Sequence, residues 1–61
     1  MNLTELFSFC QDKIKEFPEL KEDIIDLYQL AVDEIDEGGS EHHECELAFN
    51  EINDIIKDET S

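Results

Sequence analysis

The residues best suited to metal binding or catalysis directly follow the only glycine pair of the chain. His42 and Cys45 are three positions apart, so on a helix both side chains could reach one metal ion, with Glu41 or Glu46 beside them. A structural zinc site needs four ligands, however, and the chain has no second Cys or His pair. We therefore expect Cys45 to be a core residue and the histidines to be polar residues of a first helical turn.

The acids around the glycines also approximate a calcium-binding loop. EF-hand positions 1, 5, 6, 9 and 12 fall on Asp33, Glu37, Gly38, Glu41 and Glu44. The third position is Ile35, which has no ligand atom, and the first loop residues continue a helical pattern. The sequence predicts no metal site and no cofactor.

Catalysis has little support in the sequence. A cysteine with histidines and acids nearby has the composition of a nucleophilic site, but an inward-facing Cys45 in a negative field would have a raised pKa and be unreactive. The chain also lacks a glycine-rich phosphate loop. We predict no catalytic residue and a protein that is not an enzyme.

The charge of the chain is large and unevenly distributed. Eighteen acids oppose four lysines or arginines, giving a formal net charge of -14. Three lysines oppose four acids up to Lys21, whereas from Glu22 to Glu59 one lysine opposes fourteen acids. Such a field repels nucleic acid and anionic membranes and attracts basic surfaces. We expect no direct nucleic acid binding and no membrane partner, but a basic surface on another protein.

Length and cysteine usage indicate one domain over residues 1–61 in a reducing compartment. A chain of 61 residues has room for one small core, so an oligomer or a partner is a common source of further stability. Its two cysteines form no CxxC motif or disulfide framework. The first residues lack the features of a signal peptide, and no apolar run approaches the roughly 20 residues of a membrane span. We predict a cytoplasmic protein.

Apolar residues recur at steps of three and four in three segments, which predicts helices at about 3–16, 19–37 and 41–57. Because the connections are short, neighbouring helices should be antiparallel. The predicted fold is all-α, a small antiparallel three-helix bundle. A dimer of helical hairpins stays open, because periodicity does not separate packing within a chain from packing between chains. The inner stripes are expected to contain Leu3, Leu6, Phe7, Cys10, Ile14 and Phe17 in the first helix, Leu20, Ile24, Leu27, Tyr28, Ala31 and Ile35, widened by Ile25 and Val32, in the second, and Cys45, Ala48, Phe49, Ile52, Ile55 and Ile56 in the third.

Local signals mark the helix ends. Asn2 and Glu5 have the spacing of a capping box, and Pro18 ends the first helix near the preceding residue. Gly38 and Gly39 are expected to supply a left-handed C-cap for the second helix, and the following Ser40 to cap the third.

Acids line the sides of the second and third helices opposite the apolar stripes. Ordinary helix surfaces mix charge signs, and solvation alone is the alternative explanation for such a face. Asp36 and Glu37, like Asp58 and Glu59, lie at C-terminal helix ends, where the dipole disfavours acids, so folding does not explain them. Leu47 lies among the acids and is a candidate anchor. The predicted partner-binding residues are Glu22, Asp26, Asp33, Asp36, Glu37, Glu41, Glu44, Leu47 and Glu51.

The segments DLYQLAVDEIDEGGS and HHECELAFNEINDII, within residues 26–56, resemble small acidic helical proteins encoded by tailed bacteriophages, most of them without assigned function. The resemblance covers about half of the chain and includes no catalytic or ligand motif. It implies a protein that acts in the host cytoplasm by binding host machinery.

Two functions remain open at this point. The first is an inhibitor or adaptor that docks on a basic protein surface, in its sharpest form as a DNA mimic. The second is a homodimeric structural or assembly module whose acidity serves solubility.

Overall fold

The first helix, α1, spans Leu3–Glu16 in a computed structural model that describes residues 1–61. The Asn2 side chain accepts a hydrogen bond from the Glu5 N–H at 2.8 Å, and the Glu5 carboxylate accepts one from the Asn2 N–H at 3.1 Å. These two bonds satisfy backbone donors that the helix leaves free at its N-terminus. The predicted capping box and the predicted bounds of α1 are confirmed.

The second helical segment begins with a 3-10 turn over Pro18–Leu20 and continues as helix α2 over Lys21–Asp36. The sequence predicts a single helix from residue 19, so its first turn is tighter than expected. The Leu20 N–H donates to the Phe17 carbonyl at 2.9 Å, the i to i+3 bond of a 3-10 turn. This turn brings the Leu20 side chain into the core.

Helix α2 ends in a Schellman motif built on the two glycines. The Gly39 N–H donates to the Glu34 carbonyl at 2.8 Å, and the Gly38 N–H donates to the Ile35 carbonyl at 3.1 Å. Gly38 has a φ of 103°, which favours glycine, and a Cβ at Gly39 would lie 2.7 Å from the Glu34 carbonyl oxygen. Both glycines are therefore required for the reversal that places the next helix beside α2.

Helix α3 spans Glu41–Thr60 and extends beyond the predicted end at residue 57. Ser40 caps it as predicted, because its hydroxyl accepts a hydrogen bond from the His43 N–H at 3.4 Å. At the other end the Ser61 hydroxyl donates to the Asp58 carbonyl at 3.2 Å. This bond satisfies a carbonyl of the last turn, which is consistent with the extra length.

The three helices enclose one small core, which confirms the all-α three-helix bundle. Helix α1 packs on both α2 and α3 of the same chain, as in the predicted three-helix bundle. Eight residues are buried and all come from the predicted inner stripes: Leu6, Cys10, Leu20, Ile24, Ala31, Cys45, Ala48 and Ile52. None of the helices is both long and apolar enough to cross a membrane.

Candidate functional site

A groove runs between α2 and α3 and combines apolar with acidic side chains. Its volume is about 190 Å³. We call it the acidic groove, and it is lined by Leu27, Leu30, Ala31 and Glu34 from α2 and by Glu44, Leu47, Ala48 and Glu51 from α3.

Small residues form the floor of the acidic groove, and leucines form its sides. Ala31 and Ala48 are almost fully buried, and their short side chains leave a depression between the two helices. Leu30 is 54% exposed and Leu47 is 44% exposed. A protein surface with two large apolar side chains held open around a depression can receive an apolar side chain from a partner.

The acids of the groove have no cationic partner within the chain. The only ion pairs join the Met1 ammonium to Glu46 at 3.6 Å and Lys13 to Glu16 at 3.3 Å. Neither pair involves Glu34, Glu44 or Glu51, so all three groove carboxylates lack an ion-pair partner. Glu34 and Glu51 are exposed and Glu44 is partly buried, so the charges of these carboxylates face solvent without a cation of the chain beside them.

Three of the nine predicted partner-binding residues, Glu44, Leu47 and Glu51, line the acidic groove. Five more are exposed on α2 or at its C-cap, outside the groove lining: Glu22, Asp26, Asp33, Asp36 and Glu37. The ninth, Glu41, contacts α1 instead, because its carboxylate accepts a hydrogen bond from the Leu3 N–H at 2.9 Å. The structure thus divides the predicted surface into a groove, an outer face of α2 and a residue that joins two helices.

Sequence reasoning missed two residues of the groove, Leu30 and Glu34. A signal was available, since steps of three and four place Leu27, Leu30 and Glu34 on one edge of a helix. These residues lie beside the broad apolar stripe of α2. The sequence does not indicate which side of that stripe α1 and α3 leave exposed to solvent.

A second groove lies between α1 and α2, and it carries no charged side chain. Its volume is about 200 Å³, and its lining consists of Phe7, Cys10, Gln11, Ile14, Ile25 and Tyr28. We call it the neutral groove.

Two residues of the neutral groove correct the predicted inner stripes. Phe7 is 48% exposed and Ile25 is 45% exposed, although both were expected on inner faces. The Phe7 ring meets the Tyr28 ring edge-on, with 5.7 Å between centroids. Three short helices cover a narrower strip of each neighbour than the apolar stripes offer, so the outer members of those stripes remain in solvent.

Both cysteines are buried, free and poorly suited to ionise. Burial raises the pKa of Cys10 from its ordinary 9.0 to about 11. Burial also raises the pKa of Cys45, with a further increase from the negative charge of Glu41. The predicted inward position of Cys45 and its raised pKa are confirmed.

The histidines and the acids near the glycine pair do not come together around one point. The Met1 ammonium lies 2.8 Å from Nδ1 of His42, so this ring faces the start of α1. No group of three or more His, Cys, Asp or Glu side chains is arranged to hold a metal ion.

No protein-family model matches this chain, and comparisons with curated proteins and with solved structures gave no match. The resemblance to phage-encoded acidic proteins therefore stays a prediction.

Proposed function

We propose that this protein is a non-enzymatic binding module that docks on a basic surface of another protein and acts as an inhibitor or adaptor. The observation that carries the proposal is the acidic groove, where carboxylates without ion-pair partners flank the exposed Leu30 and Leu47. Apolar anchors contribute affinity when they are desolvated, and the surrounding charges select the partner and its orientation.

The wider charge distribution supports the same function. Apart from the Glu46 contact with the Met1 ammonium, the carboxylates of α2 and α3 form no ion pair. They would steer a cationic partner toward these helices, giving fast association that weakens with salt. Asp36 and Glu37 lie at the C-terminal end of α2, where they oppose the helix dipole, so a function outside folding accounts for them better. We place this interaction in the cytoplasm, which would be the host cytoplasm if the chain is phage-encoded.

DNA mimicry is the sharper form of this proposal. Acids four residues apart on a helix repeat about every 6 Å, so two adjacent stripes approach the charge spacing of a nucleic acid strand. In this form the partner is a nucleic-acid-binding protein, and added DNA competes for it.

The neutral groove favours a second candidate, a homodimeric assembly module. Phe7 and Ile25 form an exposed apolar surface in a groove whose lining has no charged side chain, and a second copy could cover this surface. This candidate requires a dimer in sedimentation experiments over a concentration series, and a sedimenting monomer at all concentrations would remove it.

The proposed function is tested by affinity capture from a lysate of the native cells at low and high salt. Three proteins are compared: the wild type, a variant with Glu34→Lys, Glu44→Lys and Glu51→Lys, and a control with Asp12→Lys, Glu16→Lys and Glu19→Lys. Both variants change the net charge equally, but only the first alters the acidic groove.

We expect the wild type and the control to capture the same basic protein at low salt, and the groove variant to lose it. Circular dichroism checks that all three are helical. Equal capture by the groove variant and the wild type would contradict the proposal, because the groove carboxylates would then be dispensable.

A further inference from the structure

We propose that the acidic groove receives a basic amphipathic α-helix of the partner protein. In this complex the apolar side of the partner helix lies between Leu30 and Leu47, and its Lys or Arg residues face Glu34, Glu44 and Glu51. The inference rests on the proposed function and specifies the partner segment that it requires.

Two exposed leucines give the acidic groove its apolar character. Leu30 on α2 and Leu47 on α3 are about half exposed across a floor of two alanines. A ligand that matches only the charges, such as a flat basic surface reading a DNA-like array, leaves both leucines in water. A ligand that offers only apolar side chains would not distinguish this groove from the neutral groove, which has a similar volume. The acidic groove therefore selects a segment that is apolar on one side and basic beside it.

The helical conformation follows from what the groove offers. The chain has no β-strand, so it presents no sheet edge to which an extended peptide can add. Extended proline-rich peptides bind grooves lined by aromatic rings, and no aromatic side chain lines the acidic groove. A groove between two antiparallel helices with leucines on its sides suits a third helix with apolar residues at steps of three and four.

The positions of the carboxylates set the spacing of the cations. Glu34 is on α2, whereas Glu44 and Glu51 are on α3, so acids flank the groove on both sides. Glu44 and Glu51 are seven residues apart, which corresponds to about 10 Å along the helix axis. We expect basic residues on both sides of the partner's apolar stripe, with two of them about two turns apart on the side that faces α3.

The test uses two synthetic peptides of about 18 residues with the same composition of Leu, Lys and Ala. In the first, the leucines form one helical stripe with lysines on both sides, and in the second the order is shuffled so that no stripe forms. Binding is measured by fluorescence anisotropy at low salt. The proteins are the wild type, a groove variant carrying Leu30→Ser and Leu47→Ser, and the control Ile25→Ser from the neutral groove.

We expect the wild type and the Ile25→Ser control to bind the striped peptide at least about tenfold more tightly than the shuffled one. The groove variant should bind both peptides equally weakly. Because Leu30 and Leu47 are exposed, this variant should retain the wild-type helical signal, and the single substitutions Leu30→Ser and Leu47→Ser should each lose part of the preference.

Two results would overturn the inference while leaving the proposed function intact. They are equal binding of both peptides by the wild type, and a preference for the striped peptide that survives in the groove variant, whatever the Ile25→Ser control does. Binding of neither peptide at low salt would instead overturn the proposed function, because a surface built for basic protein segments must hold at least one of them.

Discussion

The two grooves beside α2 are almost equal in size and opposite in character. Their volumes are about 190 Å³ and 200 Å³, yet the acidic groove has carboxylates on both sides and the neutral groove has none. Volume therefore does not distinguish them as binding sites. Charge does: the acidic groove carries the carboxylates that the proposed basic partner would contact, and the neutral groove has no feature that selects a charged ligand.

The contrast arises from the order of residues in the chain. Helix α1 comes from the nearly neutral first third, which contains Lys13 and Lys15, and it contributes no acid to the lining of the groove that it shares with α2. Helix α3 contains seven acids and only Lys57, and it meets α2 at the other border of the apolar stripe. One helix thus contributes to two grooves, and its neighbours determine what each can bind.

The largest expected effect concerns the lining of the neutral groove, where Cys10 is 4% exposed. Because its pKa rises from 9.0 to about 11 on folding, the folded protein keeps a proton that the unfolded chain releases in this range. The stability from the neutral thiol is complete below pH 9 and is lost as the pH rises through about 11. At about 1.4 kcal/mol per pKa unit, this loss is on the order of 2–3 kcal/mol.

The free energy of unfolding, measured with urea between pH 8 and pH 11, tests this prediction in the wild type and in Cys10→Ala. The variant should be less stable at pH 8, because it loses buried volume, but its stability should fall less steeply above pH 9. Parallel curves for the two proteins would show that ionisation of the Cys10 thiol costs the folded state no free energy. Water would then reach the lining of the neutral groove.

A smaller effect should separate the charge environments of the two regions. Glu37→Lys replaces a negative charge at the C-cap of α2 with a positive charge. The positive charge interacts favourably with the helix dipole and reduces repulsion among nearby acids. We expect it to stabilise the fold by about 0.5–1 kcal/mol at low salt. Asp12→Lys makes the same charge change on α1, where lysines are already present, and should alter stability by less than about 0.5 kcal/mol.

Urea unfolding of both variants at low and high salt provides the measurement. The gain from Glu37→Lys should shrink as salt increases, because exposed charges are screened. Equal gains from the two substitutions would mean that the repulsion is spread evenly over the molecule, and the contrast between the acidic and neutral regions would lose its electrostatic basis.

The sequence predicts the elements of this fold well because their signals are local. The Asn2 and Glu5 capping box, the break at Pro18 and the Gly38–Gly39 reversal each depend on a few adjacent residues, and the structure has all three. The inner residues follow from helical periodicity, which requires no knowledge of how the helices meet.

The acidic groove was less predictable, because it depends on how the helices are placed around one another. The sequence placed Glu44, Leu47 and Glu51 on an acidic surface, but it overlooked Leu30 and Glu34, which complete the groove from α2. It also assigned Phe7 and Ile25 to buried stripes. When an apolar stripe is wider than the neighbouring helices can cover, the residues at its sides stay exposed. The packing of the helices determines which of these residues they are.

In the proposed complex a basic partner binds the acidic groove and not the neutral groove. The most direct test is a titration of ¹⁵N-labelled protein with the striped basic peptide at low salt, followed by amide chemical shifts. We predict that the largest changes occur at Leu30, Glu34, Leu47 and Glu51 while Phe7 and Gln11 stay unchanged. The largest changes at Phe7, Gln11 and Ile25, with little change along α3, would contradict it.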